Sequence, residues 1–414
     1  MVRRVCVVTP GNLAFNPRAM KEVEALHDAG YDVTAVSCNY ADAFRPYDDA
    51  LQARVLWRMI RVERPASRRL RALIARGLAS VLDFAGARLP LDVAVDADRA
   101  AVPALKDAAC GVPADLYIAH YVAALPAAAA AACRHGAMLG FDAEDFHSSE
   151  GTGGSAELFR MKIVKAIEAG FLRECAHMTA ASPLIGEAYG RRYGLTSTTI
   201  LNVFPLDMAP NAPQPGSSGR IRAYWFSQTI GLDRGLQAFI AAMARAKTAV
   251  TLDIRGDNRW GHGDTLVAQA RALGIGDRVT LLPVASPEEM ARLAAEYDLG
   301  LSLETDISEN RRICLTNKIF TYLLAGVPVM MSDTPAQQAL APDLGAAASV
   351  VSLADPAGIA RALDALPARQ VEARATAWRL GRQRYNWEVE KGALLEAVAR
   401  AFDGAKEKRA CASF

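Results

Sequence analysis

Residues 299–333, LGLSLETDISENRRICLTNKIFTYLLAGVPVMMSD, spell a strand, a loop, a helix and a second strand. Residues 299–303 and 328–332 are apolar runs of strand length. Residues 317–325 between them are apolar nearly all round and stop at Gly326. This is a βαβ crossover. Both faces of its parallel sheet are buried, so the strands lack polar alternation, and ligands bind beyond the strands' carboxyl ends beside a helix N-terminus. The loop that opens there, 304–316, is polar: Glu304, Asp306, Glu309, Asn310, Arg311, Arg312 and Thr316 lead into Asn317 and Lys318. Two readings fit it. Free backbone N–H groups and the macrodipole bind phosphate, with nearby cations neutralising a leaving group; or the charges simply cap a solvated helix end.

The same alternation of strands and helices runs through the chain. Residues 5–9, 32–38, 115–120, 137–142, 177–182 and 197–202 read as strands of one α/β unit. Residues 222–227, 251–255, 279–282, 299–303, 329–332 and 349–353 form a second. Residues 202–219 between them are rich in Pro, Gly and Ser and read as the linker. At 414 residues, two domains of roughly 200 residues each are expected. A hydrophobic content of 51% and a charged content of 22% are globular, and a net charge of +2 argues against a general nucleic-acid binder. The seven cysteines are scattered and never in C-x-x-C spacing, which indicates neither a disulfide framework nor a zinc site. No stretch has signal-peptide or membrane-spanning character, so a cytoplasmic protein is expected.

Several polar groups fall at strand ends. Gly11 and Asn12 follow the first strand, where a glycine admits a ligand close to the backbone, or where the pair is only a turn. G-x-G-x-x-G is absent, as are G-x-S-x-G and G-x-x-x-x-G-K-[ST], which removes dinucleotide, serine-hydrolase and P-loop readings. His120 ends one strand, and Asp142, Glu144, Asp145, His147 and Glu150 follow the next, with Gly151, Gly153 and Gly154 beyond. A metal site is conceivable from these carboxylates and His147, but no ligand spacing backs it, and polar substrate contacts are preferred. Asp96 and Asp98, the one Asp-x-Asp pair, stand in an Asp- and Ala-rich connection and read as solvated surface. Arg54, Arg58, Arg61, Arg64, Arg68, Arg69, Arg71 and Arg76 face the single acid Glu63, with Leu70, Leu73, Ile74 and Leu78 at helical spacing. Such a stretch lies on an anionic membrane surface or forms a solvated helix face.

With this pattern on the page, the chain resembles the GT-B glycosyltransferases, most closely the family 4 type. Members carry a run like N-K-[IL]-F-E-Y-x-x-x-G-x-P-V, which Asn317, Lys318, Ile319, Phe320, Tyr322, Gly326, Pro328 and Val329 match. Weaker signs are the Pro-Gly-Asn loop, Gly231, Arg234 and Gly235 after a strand, and the closing Tyr385-x-Trp387. The resemblance implies two Rossmann-like domains facing a cleft. The first, 1–205 completed by a C-terminal helix 387–414, would bind the acceptor. After a linker at 206–219, the second, 220–386, would bind a UDP- or GDP-sugar. It implies retaining transfer to a polysaccharide, lipid-linked sugar or small metabolite, with no cofactor or metal, the nucleotide sugar being a co-substrate. Gly11, Asn12, Arg234, Arg255, Glu304, Thr316, Asn317, Lys318 and Thr321 would contact the donor. His120 and Asp142 would act at the transferred sugar, and Asp145, His147 and Glu150 would contact the acceptor. Relatives hold the donor ribose with a Glu five positions before the motif glycine and a partner Glu eight positions earlier; here these are Thr321 and Ile313. A nucleotide-sugar epimerase and a pseudo-transferase that keeps the fold only to bind a partner are the competing readings.

Overall fold

The computed structural model describes residues 2–63, 67–98, 102–216 and 219–411, with side chains described except at 67–69 and 405–411. The chain divides into two compact units, Met1–Ile200 with Lys391–Phe414, and Leu201–Glu390. The boundary falls inside the last helix, Trp387–Cys411.

The first unit holds seven parallel strands: β1 Arg4–Val8, β2 Asp32–Asn39, β3 Arg58–Glu63, β4 Leu116–His120, β5 Met138–Ala143, β6 Cys175–Ala180 and β7 Thr198–Thr199. They are ordered β3-β2-β1-β4-β5-β6-β7. The second holds β8 Arg220–Thr229, β9 Ala249–Asp257, β10 Val279–Leu282, β11 Leu299–Ser302, β12 Val329–Ser332 and β13 Ala348–Val351, ordered β10-β9-β8-β11-β12-β13, also all parallel. Both are doubly wound. Each sheet reverses its direction of growth once, between β1 and β4 and between β8 and β11, and a crevice opens at the carboxyl ends there.

The opening stretch packs as its composition demands. The helix Asn317–Leu324 buries Ile319, Phe320, Tyr322 and Leu323 completely. Tyr322 lies across Gly300 of β11, where a Cβ would sit 2.2 Å from the ring's Cγ, and its hydroxyl donates to the Tyr224 carbonyl on β8 at 2.8 Å. Gly326 ends the helix at φ +71°, where a Cβ would come within 2.9 Å of Trp378. Phe320 packs against Tyr385 with ring centroids 5.5 Å apart, and the Trp387 N–H donates to the Phe204 carbonyl. Most matching positions of the family run are therefore packing positions of the second unit. Tyr385 and Trp387 of the closing motif find these partners inside that unit.

Other expectations need correction. The segment 206–219, read as the linker, falls within the second unit: Phe204, Ala209, Ala291 and Leu324 form a small core, Arg374 Nε donates to the Gln214 carbonyl, and Glu388 accepts from the Leu206 N–H. Ser217 and Ser218 lie outside the described residues. Pro367 stands inside the helix Pro356–Gln383. The arginine-rich stretch is not one helix: Arg58 and Arg61 are in β3, and the helix is Ser67–Phe84. Arg64 lies outside the described residues, as do the side chains of Arg68 and Arg69. The loop 304–316 contains a short helix, Glu309–Ile313, capped by the Ser308 hydroxyl. No helix among the described residues is long and apolar enough to cross a membrane.

Gly300→Ala should lower the unfolding free energy of the second unit by about 1–3 kcal/mol, the usual cost of overpacking. Urea unfolding measures it; an unchanged midpoint would mean that the Tyr322 ring does not bear on β11.

Candidate functional site

In the second unit the loops after β8 and β11 meet at the switch point. Glu304, buried just past the end of β11, is held from its backbone by Ser332, whose hydroxyl accepts from the Glu304 N–H (2.9 Å) and donates to its carbonyl (2.7 Å). Its carboxylate gathers three cations. Oε2 accepts from Arg311 at 2.5 Å and Arg234 at 3.3 Å, and Oε1 lies 3.9 Å from the Lys318 ammonium. Asp233 approaches both arginines, 3.6 Å from Arg234 and 3.7 Å from Arg311. Burial alone would raise the Glu304 pKa, but Lys318, Arg311 and Arg234 outweigh it and hold the group ionised. Lys318, itself buried, has its pKa lowered by burial and by the two arginines, with Glu304 opposing.

Three cations thus face two carboxylates, and Arg234 Nε, a buried donor, makes no hydrogen bond. Thr316 precedes the helix without capping it, its hydroxyl instead meeting Ser302 at 3.2 Å, and Asn317 opens the first turn. The helix N-terminus therefore presents backbone N–H groups beside the cations, an arrangement suited to a diphosphate. Thr321, one turn further on, is fully buried and donates to the Asn317 carbonyl at 3.0 Å. Arg255 does not join the group: its guanidinium bonds to the Tyr224 hydroxyl and the Pro283 carbonyl, both at 2.7 Å.

In the first unit the ends of β4 and β5 converge on a buried ionic cluster. Arg18 grips both oxygens of Asp142 at 2.7 and 2.8 Å and also donates to the Ile200 carbonyl at 2.7 Å. Thr179 donates to the same carboxylate at 2.5 Å. Burial would raise the Asp142 pKa, but Arg18, then His120, drive it far below the usual carboxylate range. His120, 2% exposed, has Nε2 2.5 Å from Glu22 and Nδ1 3.6 Å from Asp142. Burial disfavours the imidazolium, but Asp142 and Glu22 overcome this and raise its pKa. Both ring nitrogens face carboxylates, and in this geometry His120 is an internal ion-pair partner. Tyr121, next in sequence, is the one non-glycine residue at positive φ (+65°) among the described residues, and its hydroxyl donates to Glu144 at 3.0 Å. Strain of this kind concentrates at functional sites.

Beyond β5, His147 Nδ1 pairs with Glu150 at 2.6 Å while its buried Nε2 makes no hydrogen bond, and its ring lies against Tyr121. Burial would depress the His147 pKa, yet the Glu150 hydrogen bond, followed by the charges of Glu150, Asp145 and Glu168, carries it up to about 9. Asp145, His147 and Glu150 do come together, with one ligand-type atom each within 4.8 Å of the others, as do Glu22, His120 and Asp142. In the second trio the Arg18 guanidinium already occupies the cation's place. Gly11 and Asn12 tie their loop to neighbouring segments. Asn12 donates to Asp48 (2.8 Å) and accepts from the Tyr40 N–H (3.0 Å), and the Gly11 carbonyl accepts from Cys38.

Sequence reasoning did not select Arg18, Glu22, Asp233 or Tyr121, and left Arg311 as one polar residue of a loop. One local signal existed: Arg18 and Glu22 stand four apart in the helix Pro17–Asp28 and so share a face.

No protein-family model and no curated protein sequence matches the chain. Among solved structures it is similar to Anabaena HepE in complex with UDP-glucose (16% identity, TM-score 0.69, 96% of this chain and 99% of that one). It is also similar to sucrose-phosphate synthase from Thermosynechococcus elongatus (15%, 0.72, 97% and 100%) and to a glycosyltransferase from Rickettsia africae (10%, 0.66, 97% and 99%). At such identities the likeness is one of fold, and the fold is GT-B.

The stabilisation from a raised histidine pKa is complete below the unfolded value, 6.5, and is lost as pH rises through the folded value of about 9. Unfolding free energy should therefore fall between pH 7 and 9.5, and His147→Asn should flatten that slope in urea titrations across the range.

Proposed function

We propose that the protein is a glycosyltransferase of the family 4 type, taking a UDP- or GDP-sugar in its second unit and transferring the sugar with retention to a glycan, lipid-linked or small-molecule acceptor. One observation carries the reading: three cations converge on Glu304 beneath an uncapped helix N-terminus, and the buried Arg234 Nε makes no hydrogen bond. That arrangement fits a diphosphate. Its charge rises as the glycosidic bond breaks, and preorganised Arg234, Arg311 and Lys318 stabilise that rise without waiting for solvent to reorient. The similarity in fold to HepE, which was solved with UDP-glucose, supports a uridine donor.

In this reading no metal serves the donor, since the side chains supply the countercharge. Glu304 is committed to the cations, so the ribose contact is proposed for Glu309, exposed in the first turn of its short helix. Asp145, His147 and Glu150 are proposed as acceptor contacts. Arg18, His120, Asp142 and Glu22 are proposed as positioning residues for the β4 and β5 ends and for the strained Tyr121. The arginines between Arg54 and Arg76 suggest in addition a salt-sensitive contact with an anionic membrane surface at the cytoplasmic face.

A second reading has its own observation. Thr321 and Ile313 stand where family 4 enzymes carry two glutamates, and Thr321 is buried with its hydroxyl committed to the helix. This favours a subunit that keeps the fold and binds nucleotide without transfer. Thermal shift against a panel of nucleotide sugars, with assay of released nucleotide, separates the two: binding without turnover selects the second.

Lys318→Ala and Arg234→Ala should each weaken UDP binding about ten- to a hundredfold by calorimetry, the equivalent of a charge-assisted contact of roughly 1.5–3 kcal/mol. Unchanged affinity in both variants would remove the donor from this loop.

Nucleotide release in the presence of chelator should equal that without it. Loss restored by magnesium or manganese would show that the three cations do not suffice.

A further inference from the structure

The helix Ser67–Phe84 is inside out. An ordinary surface helix turns its large apolar side chains inward. Here the buried side chains are Ala72, Ala75 and Ala79, while Leu73, Ile74 and Val81 are 61%, 64% and 65% exposed and Phe84 is 97% exposed. Leu70 and Leu78 are exposed as well. At 100° per residue these six fall within a sector of about 140° that holds no charged residue. Arg71 and Arg76 stand outside its edges, one paired with Asp96 and the other donating to the Ala97 and Asp98 carbonyls. Six large apolar side chains in one uncovered stripe mark an interaction surface.

We infer that this stripe inserts into the interfacial layer of an anionic membrane, so that the helix lies in the bilayer plane with its alanine face holding it to the protein. The inference deepens the membrane contact proposed from the arginines and rests on it for the sign of the lipid. It replaces a purely electrostatic touch with apolar insertion. The surrounding charge selects the occupant. Arg71 and Arg76 flank the stripe, and at the helix's carboxyl end Arg88, Lys162 and Lys165 line a cavity of about 560 Å³ whose single acid, Asp83, is paired with Lys162. A second copy of the chain fits less well, because a two-fold contact would set these basic regions against themselves. Interfacial helices of this composition bind through buried apolar area together with attraction to anionic headgroups.

Charge and insertion respond differently to salt. The Debye length falls from about 8 Å at physiological ionic strength to about 3 Å at 1 M, which removes the headgroup attraction and leaves apolar burial intact. The test is co-flotation of the full chain with vesicles of phosphatidylcholine alone or mixed with phosphatidylglycerol, at low salt and at 1 M. The partner variant is Ile74→Ser/Val81→Ser, two exposed positions whose change leaves the core untouched. We expect binding to the mixed vesicles that survives in part at 1 M salt and drops roughly tenfold or more in the variant, with melting temperature and UDP affinity unchanged. Binding wholly reversed by salt and equal in the variant would overturn insertion and leave only the arginine contact. Failure to float with either vesicle would overturn both. A dimer in light scattering that the variant dissociates would assign the stripe to a second copy.

Discussion

Glu304 brings a single negative charge into a buried place where three cations would otherwise face only one another and Asp233. Two unit charges 4 Å apart interact by about 4 kcal/mol at an effective dielectric of 20, so Arg234, Arg311 and Lys318 could not share so small a volume without the carboxylate between them. Removing one member of a buried ionic group typically costs 3–5 kcal/mol, roughly, because the others are left uncompensated. The rest of the second unit is arranged to keep this residue in place. Ser332 at the end of β12 fixes its backbone from both sides, Tyr322 ties β11 to β8, and the turn at Gly231–Gly235 presents Asp233 and Arg234 from the other side of the switch point.

The first unit uses the same position in its own sheet with the charges reversed. Its switch-point neighbourhood gathers carboxylates, Glu22, Asp142 and Glu144, and answers them with Arg18 and His120. In the second unit a carboxylate is surrounded by cations and the Arg234 Nε donor makes no hydrogen bond, which suits an anion. In the first, Glu144 keeps a raised pKa through burial and its neighbour Asp145, while His147 is held cationic near neutrality beside Glu150. Two doubly wound sheets of one architecture thus carry buried clusters of opposite electrostatic character.

The chain's use of alanine and arginine around the helix Ser67–Phe84 follows the same separation of duties. Small side chains let the helix sit close to the protein, and the large ones, which contribute most to burial, are left outward. Their placement reverses what helical spacing alone suggests: the period marks which residues share a face, and it does not say which face the protein covers.

The sequence by itself determined the strands of both units except the edge strand β3, because a parallel strand buried on both faces reads as a continuous apolar run and β3, only partly buried, does not. It also determined the polar loop at the β11 end, because Gly326, Tyr322 and Phe320 fix the helix that follows. Tertiary structure alone decided which charges meet. Arg18 and Asp142 are 124 residues apart, Glu22 and His120 are 98 apart, and Arg234 and Glu304 are 70 apart. No local period encodes such pairs, since they exist only once the order of strands in each sheet is set. The same ordering committed Asn12 to Asp48 and Tyr40 and Arg255 to Tyr224 and Pro283, broke the arginine-rich stretch into a strand and a helix, and closed His120 between two carboxylates. A side chain's type is written in the chain, but its partners depend on which strand ends lie side by side.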